Sequence, residues 1–225
     1  MKKIAVIGAL EAEIKHLAEE FRTEETDLLG SFGKACVANA GAAQVLIVCC
    51  GVGKVNAAMT VSAVIERFSP DCVVNIGAAG ALAESLRPLD VVVSSEAVYH
   101  DYRDSGAGFL MAGPPFAEVF KADEGLVRMI TGGGNPNIIT GRIATGDAFI
   151  EDKEEAREIR RCTGALCVDM ESAAVGHVCH ACGVPFVCVR SVSDSADENA
   201  KISFGQLVEK AAEQAAEVIR NIFSE

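Results

Sequence analysis

The chain has 225 residues, with 20 Lys and Arg against 32 Asp and Glu, a formal net charge of −12, and half of its residues hydrophobic. At roughly 150 residues per domain this predicts a single domain over residues 1–225, large enough to bury about 70% of its unfolded surface without staples. A charged fraction of 23% excludes a disordered chain, and the acidic surplus excludes a non-specific nucleic-acid binder, which needs a basic footprint.

Chain order begins with a predicted strand, Lys3 to Ile7, and a helix from Leu10 to Phe21. The apolar start imitates a signal peptide, but Glu11 and Glu13 interrupt it after seven residues. Ala35 to Gly53 carries no charge over nineteen residues. Asn39, Gly41, Gln44, Gly51 and Gly53 break it into two buried strands, Lys34 to Asn39 and Gln44 to Cys50, so no membrane span is expected. Then come a helix over Lys54 to Arg67, strands over Cys72 to Ile76 and Asp90 to Ser94, and a helix over Ala117 to Ile130. A strand over Ile138 to Thr145 and a helix over Lys153 to Cys162 precede a strand over Ala165 to Asp169. A helix over Glu171 to Cys182, a strand over Pro185 to Val192 and a helix over Phe204 to Phe223 complete the series. Ser203 and Gln206 have capping-box spacing, and Phe204, Val208, Ala211, Ala215, Val218 and Ile222 mark one buried helical face. Strands apolar on both faces, alternating with helices, predict a three-layer α/β/α sandwich. Nine cysteines, an odd number in a chain this long, fit free thiols in a reducing compartment, so a cytoplasmic protein is expected.

In such a sheet ligands lie beyond the carboxyl ends of the strands. Standing there are Gly8-Ala9-Leu10-Glu11-Ala12-Glu13, Gly51-Val52-Gly53-Lys54, Gly77-Ala78-Ala79-Gly80, Gly146-Asp147-Ala148-Phe149-Ile150, Val168-Asp169-Met170-Glu171 and Arg190-Ser191-Val192-Ser193-Asp194. Taken singly they are weak. Gly51-x-Gly53 lacks the third glycine of a dinucleotide loop, and Val55 after Gly53-Lys54 excludes a P-loop, leaving tight turns that open helices. Glu171 fits a helix N-terminus as well as a ligand site, Asp194 fits a loop cap, and Phe149 fits a core. His177-Val178-Cys179-His180-Ala181-Cys182 invites zinc, but on a helix Cys179 and Cys182 share a face while their partners point elsewhere, and no second Cys pair has finger spacing, so no metal is expected. No His stands near a Ser or Cys in a nucleophile motif.

Read together and in order, these fragments resemble bacterial 5'-methylthioadenosine/S-adenosylhomocysteine nucleosidase, and the similarity continues through His177-Val178-Cys179-His180 and Val184-Pro185-Phe186-Val187. The resemblance implies a nucleoside phosphorylase-like fold with a mixed central sheet, a homodimer, and hydrolysis of an adenine N-glycosidic bond with water as nucleophile and no cofactor. It makes Asp194 the acid that protonates adenine N7, with Ser193 nearby, and Glu13 the base that activates water. Glu171 grips the ribose hydroxyls. Phe149 stacks on adenine, the Ile150 backbone reads its edge, Met170 packs against ribose, Arg190 helps hold water and the carboxylates, and Phe204 lines the 5' side. Ala9, Val52 and Ala78 complete the substrate-binding set.

The chemistry needs such residues. Adenine leaves only when a ring nitrogen is protonated, which calls for a carboxylic acid with a raised pKa, and the oxocarbenium-like sugar calls for fixed negative charge. Related phosphorylases surround a bound phosphate with cations, one from an N-terminal loop. Here that loop bears Glu11 and Glu13 and no arginine, which repels a phosphate dianion and favours water. The chain departs from the family in two regions. Ala78 replaces a serine near the ribose, and Asp104 and Ala107 stand where the family places apolar side chains over the 5'-alkylthio group. Either that loop is built differently, by drift in a variable segment, or the 5' group is more polar than methylthio. The rival readings are a nucleosidase or phosphorylase for another purine nucleoside, such as one resembling aminodeoxyfutalosine, and a non-catalytic nucleoside-binding module.

Overall fold

The structure is a computed structural model that describes residues 3–102, 119–132, 135, 137–197 and 200–223. The Asp104 and Ala107 positions therefore lie outside the described residues. Ten strands form one mixed sheet: β1 Lys3–Gly8, β2 Glu24–Thr26, β3 Lys34–Ala40, β4 Ala43–Cys49, β5 Cys72–Ala81, β6 Val91–Tyr99, β7 Phe120–Lys121, β8 Ile138–Thr145, β9 Cys167–Asp169 and β10 Phe186–Asp194. Six α-helices accompany them: α1 Glu11–Glu20, α2 Lys54–Phe68, α3 Glu124–Thr131, α4 Lys153–Thr163, α5 Ser172–Cys182 and α6 Ala200–Val218.

Side chains alternate across each strand, and the two faces feed different cores. Ala5, Ile7, Leu46, Val48, Val73 and Cys188 pack under α2 and α5, with Val61, Val64, Ala174 and Val175. Their neighbours Ile4, Val6, Val45, Ile47, Val74 and Val189 pack under α1, α3 and α6, with Leu17, Leu126, Ile130 and Ala215. Helices on both faces make the expected three-layer α/β/α sandwich. β1 pairs in parallel with β4 and β5, β5 with β10, and β6 with β8, while β10–β6 and β5–β9 are antiparallel. The pairs β5–β10, β10–β6, β6–β8, β8–β9 and β9–β5 close a ring of five strands. That closure brings the ends of β5, β8, β9 and β10 round one point.

Several boundaries differ from the sequence expectation. Gly77-Ala78-Ala79-Gly80 does not leave the strand but continues β5, because it pairs with Arg190, Ser191, Val192 and Asp194 of β10. Phe120 and Lys121, expected in a helix from Ala117, form an edge strand against Ala97 and Glu96. That helix starts at Glu124, where Asp123 accepts a cap bond from the Leu126 N–H at 2.9 Å. Residues 117 and 118 lie outside the described residues. α6 begins at Ala200, whose N–H donates to the Asp197 carbonyl, so Ser203 is inside the helix and not its cap. Among the described residues no helix is long and apolar enough to cross a membrane.

Candidate active site

Glu13 lies on the first turn of α1 and reaches back over the end of β1. Its Oε2 accepts the N–H groups of Ala9 at 2.7 Å and Leu10 at 2.9 Å, and its Oε1 that of Ala78 at 3.0 Å. Three backbone donors on a buried carboxylate fix its position on a strand-to-helix turn. Gly77 makes room for it: a Cβ there would stand 2.6 Å from Glu13 Oε1. Burial pushes the Glu13 pKa up, against the Arg190 charge and those three N–H donors, which work to lower it.

Asp194 closes β10 at a bulge, where the register against β5 shifts between Val192 and Asp194. Bulges commonly re-aim a side chain beside an active site. Here Gly80 is the partner, and a Cβ on it would come within 2.9 Å of Asp194 Oδ1. Oδ1 accepts from the Ala196 N–H at 2.9 Å and Oδ2 from the Ser193 hydroxyl at 2.8 Å. Burial raises the Asp194 pKa, and those two bonds counteract it.

Glu171 occupies the N-cap position of α5, yet its side chain caps nothing in that helix. Its Oε1 instead accepts the N–H of Gly53 at 2.8 Å, from the loop that opens α2. Gly53 has φ +100°, a left-handed conformation that glycine adopts without strain. Lys54 and Asp147 anchor that loop: Lys54 N–H donates to Asp147 Oδ1 at 2.8 Å, and Lys54 Nζ meets Asp101 Oδ2 at 2.5 Å. Burial first, then the negative charge of Asp169, pushes the Glu171 pKa up to about 8.

These three acids border one cavity of about 230 Å³. Its wall also contains Ala9, Val52, Ala78, Phe149, Ile150, Met170, Ser193 and Phe204, so eleven of the twelve residues singled out in the sequence meet there. Phe149, 38% exposed at the mouth, packs edge-on against Phe204, with ring centroids 5.8 Å apart. No Lys or Arg is among the described residues of the wall. Arg190 is the twelfth and does not line the cavity. It is fully buried behind the wall, with its Nε on Asp169 Oδ2 at 2.7 Å and its Nη1 on the carbonyls of Asn75 and Val189, each at 3.2 Å. Its Nη2 donates to Asn75 Oδ1. Burial opposes the Arg190 charge, but Asp169, Glu171 and Glu13 keep its pKa above the usual range.

Sequence reading missed Asp169 and Asn75 as partners of Arg190, and Leu10, Ala79, Gly80, Ala148, Val168 and Asp169 as wall residues. The signal for Asp169 was its place beside Met170-Glu171. Asn75, in the middle of an apolar strand, was a polar residue that needed a partner. The cysteine-histidine segment of α5 lies elsewhere: Cys179 is in the core, and the His177 ring stacks on Phe120 at 4.7 Å.

A family model described as the phosphorylase superfamily matches residues 3–224. The chain is 36% identical over 231 residues to a 5'-methylthioadenosine/S-adenosylhomocysteine nucleosidase of Geobacillus sp. (strain WCH70), covering 99% of this chain and 98% of that one. The crystal structure of the nucleosidase of that name from Neisseria meningitidis, in complex with methylthio-immucillin-A, superposes with a TM-score of 0.92 at 33% identity, over 99% of this chain and 98% of that one. The native structure of futalosine hydrolase of Helicobacter pylori superposes with a TM-score of 0.90 at 30% identity, over 98% of this chain and 97% of that one.

Proposed function

The chain belongs to the phosphorylase superfamily, and from that premise we propose that it is an N-glycosyl hydrolase of 5'-methylthioadenosine, S-adenosylhomocysteine or a related 5'-substituted adenosine. Water cleaves the adenine N-glycosidic bond, and the products are adenine and the 5-substituted ribose. The observation that carries this reading is the convergence of three buried carboxylates, from three distant parts of the chain, on one cavity with largely apolar walls.

In this reading Asp194 is the general acid. Its raised pKa lets it hold a proton, which it gives to adenine N7 as the bond to ribose lengthens. Phe149 stacks on the purine and the Ile150 backbone meets its edge. Glu171 keeps one oxygen on Gly53 and offers the other to the ribose hydroxyls, beside the positive charge that develops on the sugar. Glu13 is the base that takes a proton from the attacking water. Ala78 donates only its backbone N–H to Glu13, so the hydroxyl that the family carries at this position has no counterpart here. Met170 packs against the ribose, Ala9 and Val52 shape the wall, and Phe204 covers the 5' side. Arg190 acts from behind the wall as a fixed positive charge. With no Lys or Arg among its described residues, the wall offers a phosphate dianion no counter-charge, which supports water over phosphate as nucleophile. Acid, base and charge all come from side chains, and the reaction calls for no metal or cofactor.

Residues 1–225 act as one nucleosidase unit, since every proposed site residue lies on one sheet, on a helix packed against it or in the loops that join them. Val52, Val55 and Met59 leave apolar surface exposed on and beside α2, next to the cavity mouth, which supports a homodimer built on that face. The buried thiols of Cys50, Cys167, Cys179 and Cys188 support a reducing, cytoplasmic setting. The likeness to futalosine hydrolase keeps a second nucleoside in view. An adenine-release assay over nucleosides varied at the 5' group decides between them. Turnover of 5'-methylthioadenosine or S-adenosylhomocysteine is the expected result, and turnover of a futalosine-type nucleoside alone favours the second reading. Tight nucleoside binding with no base released would make the chain a sensor and refute the proposal.

A further inference from the structure

The cavity and the layer behind it hold four buried carboxylates, Glu13, Asp169, Glu171 and Asp194, and among the described residues a single buried cation, Arg190. Three of the acids border the cavity with their side chains in the roles given above. The fourth, Asp169, also borders the cavity, but its side chain is only 1% exposed and turned into the layer behind it, toward Arg190. It is nonetheless the most heavily bonded acid in the region. Oδ2 accepts from Arg190 Nε at 2.7 Å, from the Ser172 N–H at 3.1 Å and from the Ser172 hydroxyl. Oδ1 accepts from the Thr145 hydroxyl at 2.6 Å, and Thr145 Oγ1 in turn accepts the Ala173 N–H at 2.9 Å.

The Ser172 and Ala173 N–H groups belong to the first turn of α5, where four donors lack intrahelical partners. An N-cap side chain ordinarily accepts the N–H of the second or third helical residue, here Ala173 or Ala174. Here Asp169, two residues earlier, takes Ser172, and Thr145 takes Ala173, so the Glu171 carboxylate is released to turn toward the cavity. The same Asp169 carboxylate holds the plane of the Arg190 guanidinium, whose other donors are spent on Asn75 and Val189. Arg190 makes no hydrogen bond to Glu13 or Glu171 and reaches them through its field alone. We propose that Asp169 is a positioning residue of the hydrolytic site, capping α5 in place of Glu171 and fixing Arg190 as the counter-charge shared by Glu13 and Glu171.

The inference rests on the nucleosidase reading, and wild-type adenine release run alongside separates the two. Asp169→Asn keeps the volume of the side chain and removes its charge. Its kcat is expected to fall about 10- to 100-fold, the scale for losing an outer partner of a working group, with KM little changed. A structural role alone would not move the pH profile of kcat/KM. The positioning role does, because the negative charge of Asp169 now opposes ionisation of Glu171, so one limb shifts to lower pH. The titratable and charged groups around Asp169 and Glu171 are Arg190 and Cys188 on β10, Glu13 on α1, Cys50 after β4, Cys167 on β9 and His100 after β6. Apart from Asp169 itself, only Glu171 and Glu13 among them are assigned roles that need a carboxylate. Asp169→Glu restores the charge and is expected to return the limb to its wild-type position with part of the activity.

Wild-type kcat and limbs in Asp169→Asn overturn the inference while leaving the hydrolase intact. So does an equal loss in both variants with unmoved limbs. A wild-type protein that releases no adenine overturns both. Should Asp169→Asn not fold, Ser172→Ala decides: it removes one hydroxyl donated to Asp169, and a several-fold lower kcat at unchanged KM supports the inference, whereas wild-type kcat refutes it.

Discussion

Burial raises the Asp194 pKa in a pocket built around its carboxyl. The bulge in β10 turns the carboxyl inward, Gly80 leaves space for it, and among the described residues Ser193 and the Ala196 N–H are bonded to it. Asp194→Asn keeps the shape and cannot deliver the proton, so turnover is expected to fall about 10²- to 10⁴-fold, the contribution of one general acid. Nucleoside binding, followed by titration calorimetry, should persist. Glu171 makes a different prediction. Its pKa in the folded chain is about 8, well above the ordinary value of 4.5. Between those values the folded chain keeps a proton that the unfolded chain has released, so this residue costs stability progressively as pH rises through the window. Glu171→Gln mimics the protonated acid. Thermal melts should show it raising Tm at pH 8 and hardly at pH 5, while adenine release is lost at both. A Tm below wild type at pH 8 would mean that the carboxylate is better compensated than its burial implies.

At the scale of elements, the site depends on where strands stop and on which residues lack a Cβ. Gly77 is the sharpest case, because its backbone is compatible with other residues but the Glu13 carboxylate packs directly over it. Gly77→Ala should keep the fold and displace Glu13, and a misplacement near 1 Å costs about 10²-fold in rate. Normal turnover in that variant would remove Glu13 from the mechanism. The buried strands and most helices were legible in the sequence, since apolar runs of four to eight residues, bounded by glycines and helical patterns, have few other readings. Ile138–Thr145 has the predicted bounds. The short edge strands β2 and β7 were not legible, because Glu24–Thr26 and Phe120–Lys121 have no periodicity of their own and exist only through their partners. The extension of β5 through Gly77–Gly80 was hidden for the same reason: a glycine-rich run reads as a turn until a neighbouring strand pairs with it. Motif order was enough to gather the cavity residues, but not to show that Arg190 stands behind them. Burial of that kind is a property of the closed ring of strands.

For the whole molecule, the closed ring and the three-layer packing turn residues as distant in sequence as Glu13 and Asp194 into neighbours across one cavity. The exposed apolar face at Val52, Val55 and Met59 adjoins that cavity. Sedimentation of the wild-type chain should give twice its 23.6 kDa mass. Met59→Glu should shift it toward the monomer and lower activity, whereas a monomeric wild type would refute the dimer. The central claim is that the carboxylates direct water, and nothing else, onto the sugar. It is tested most directly by turning over 5'-methylthioadenosine in isotopically labelled water with phosphate present and weighing the sugar product. One labelled oxygen in the released 5-methylthioribose and no sugar phosphate are expected, and 5-methylthioribose 1-phosphate among the products would refute hydrolysis.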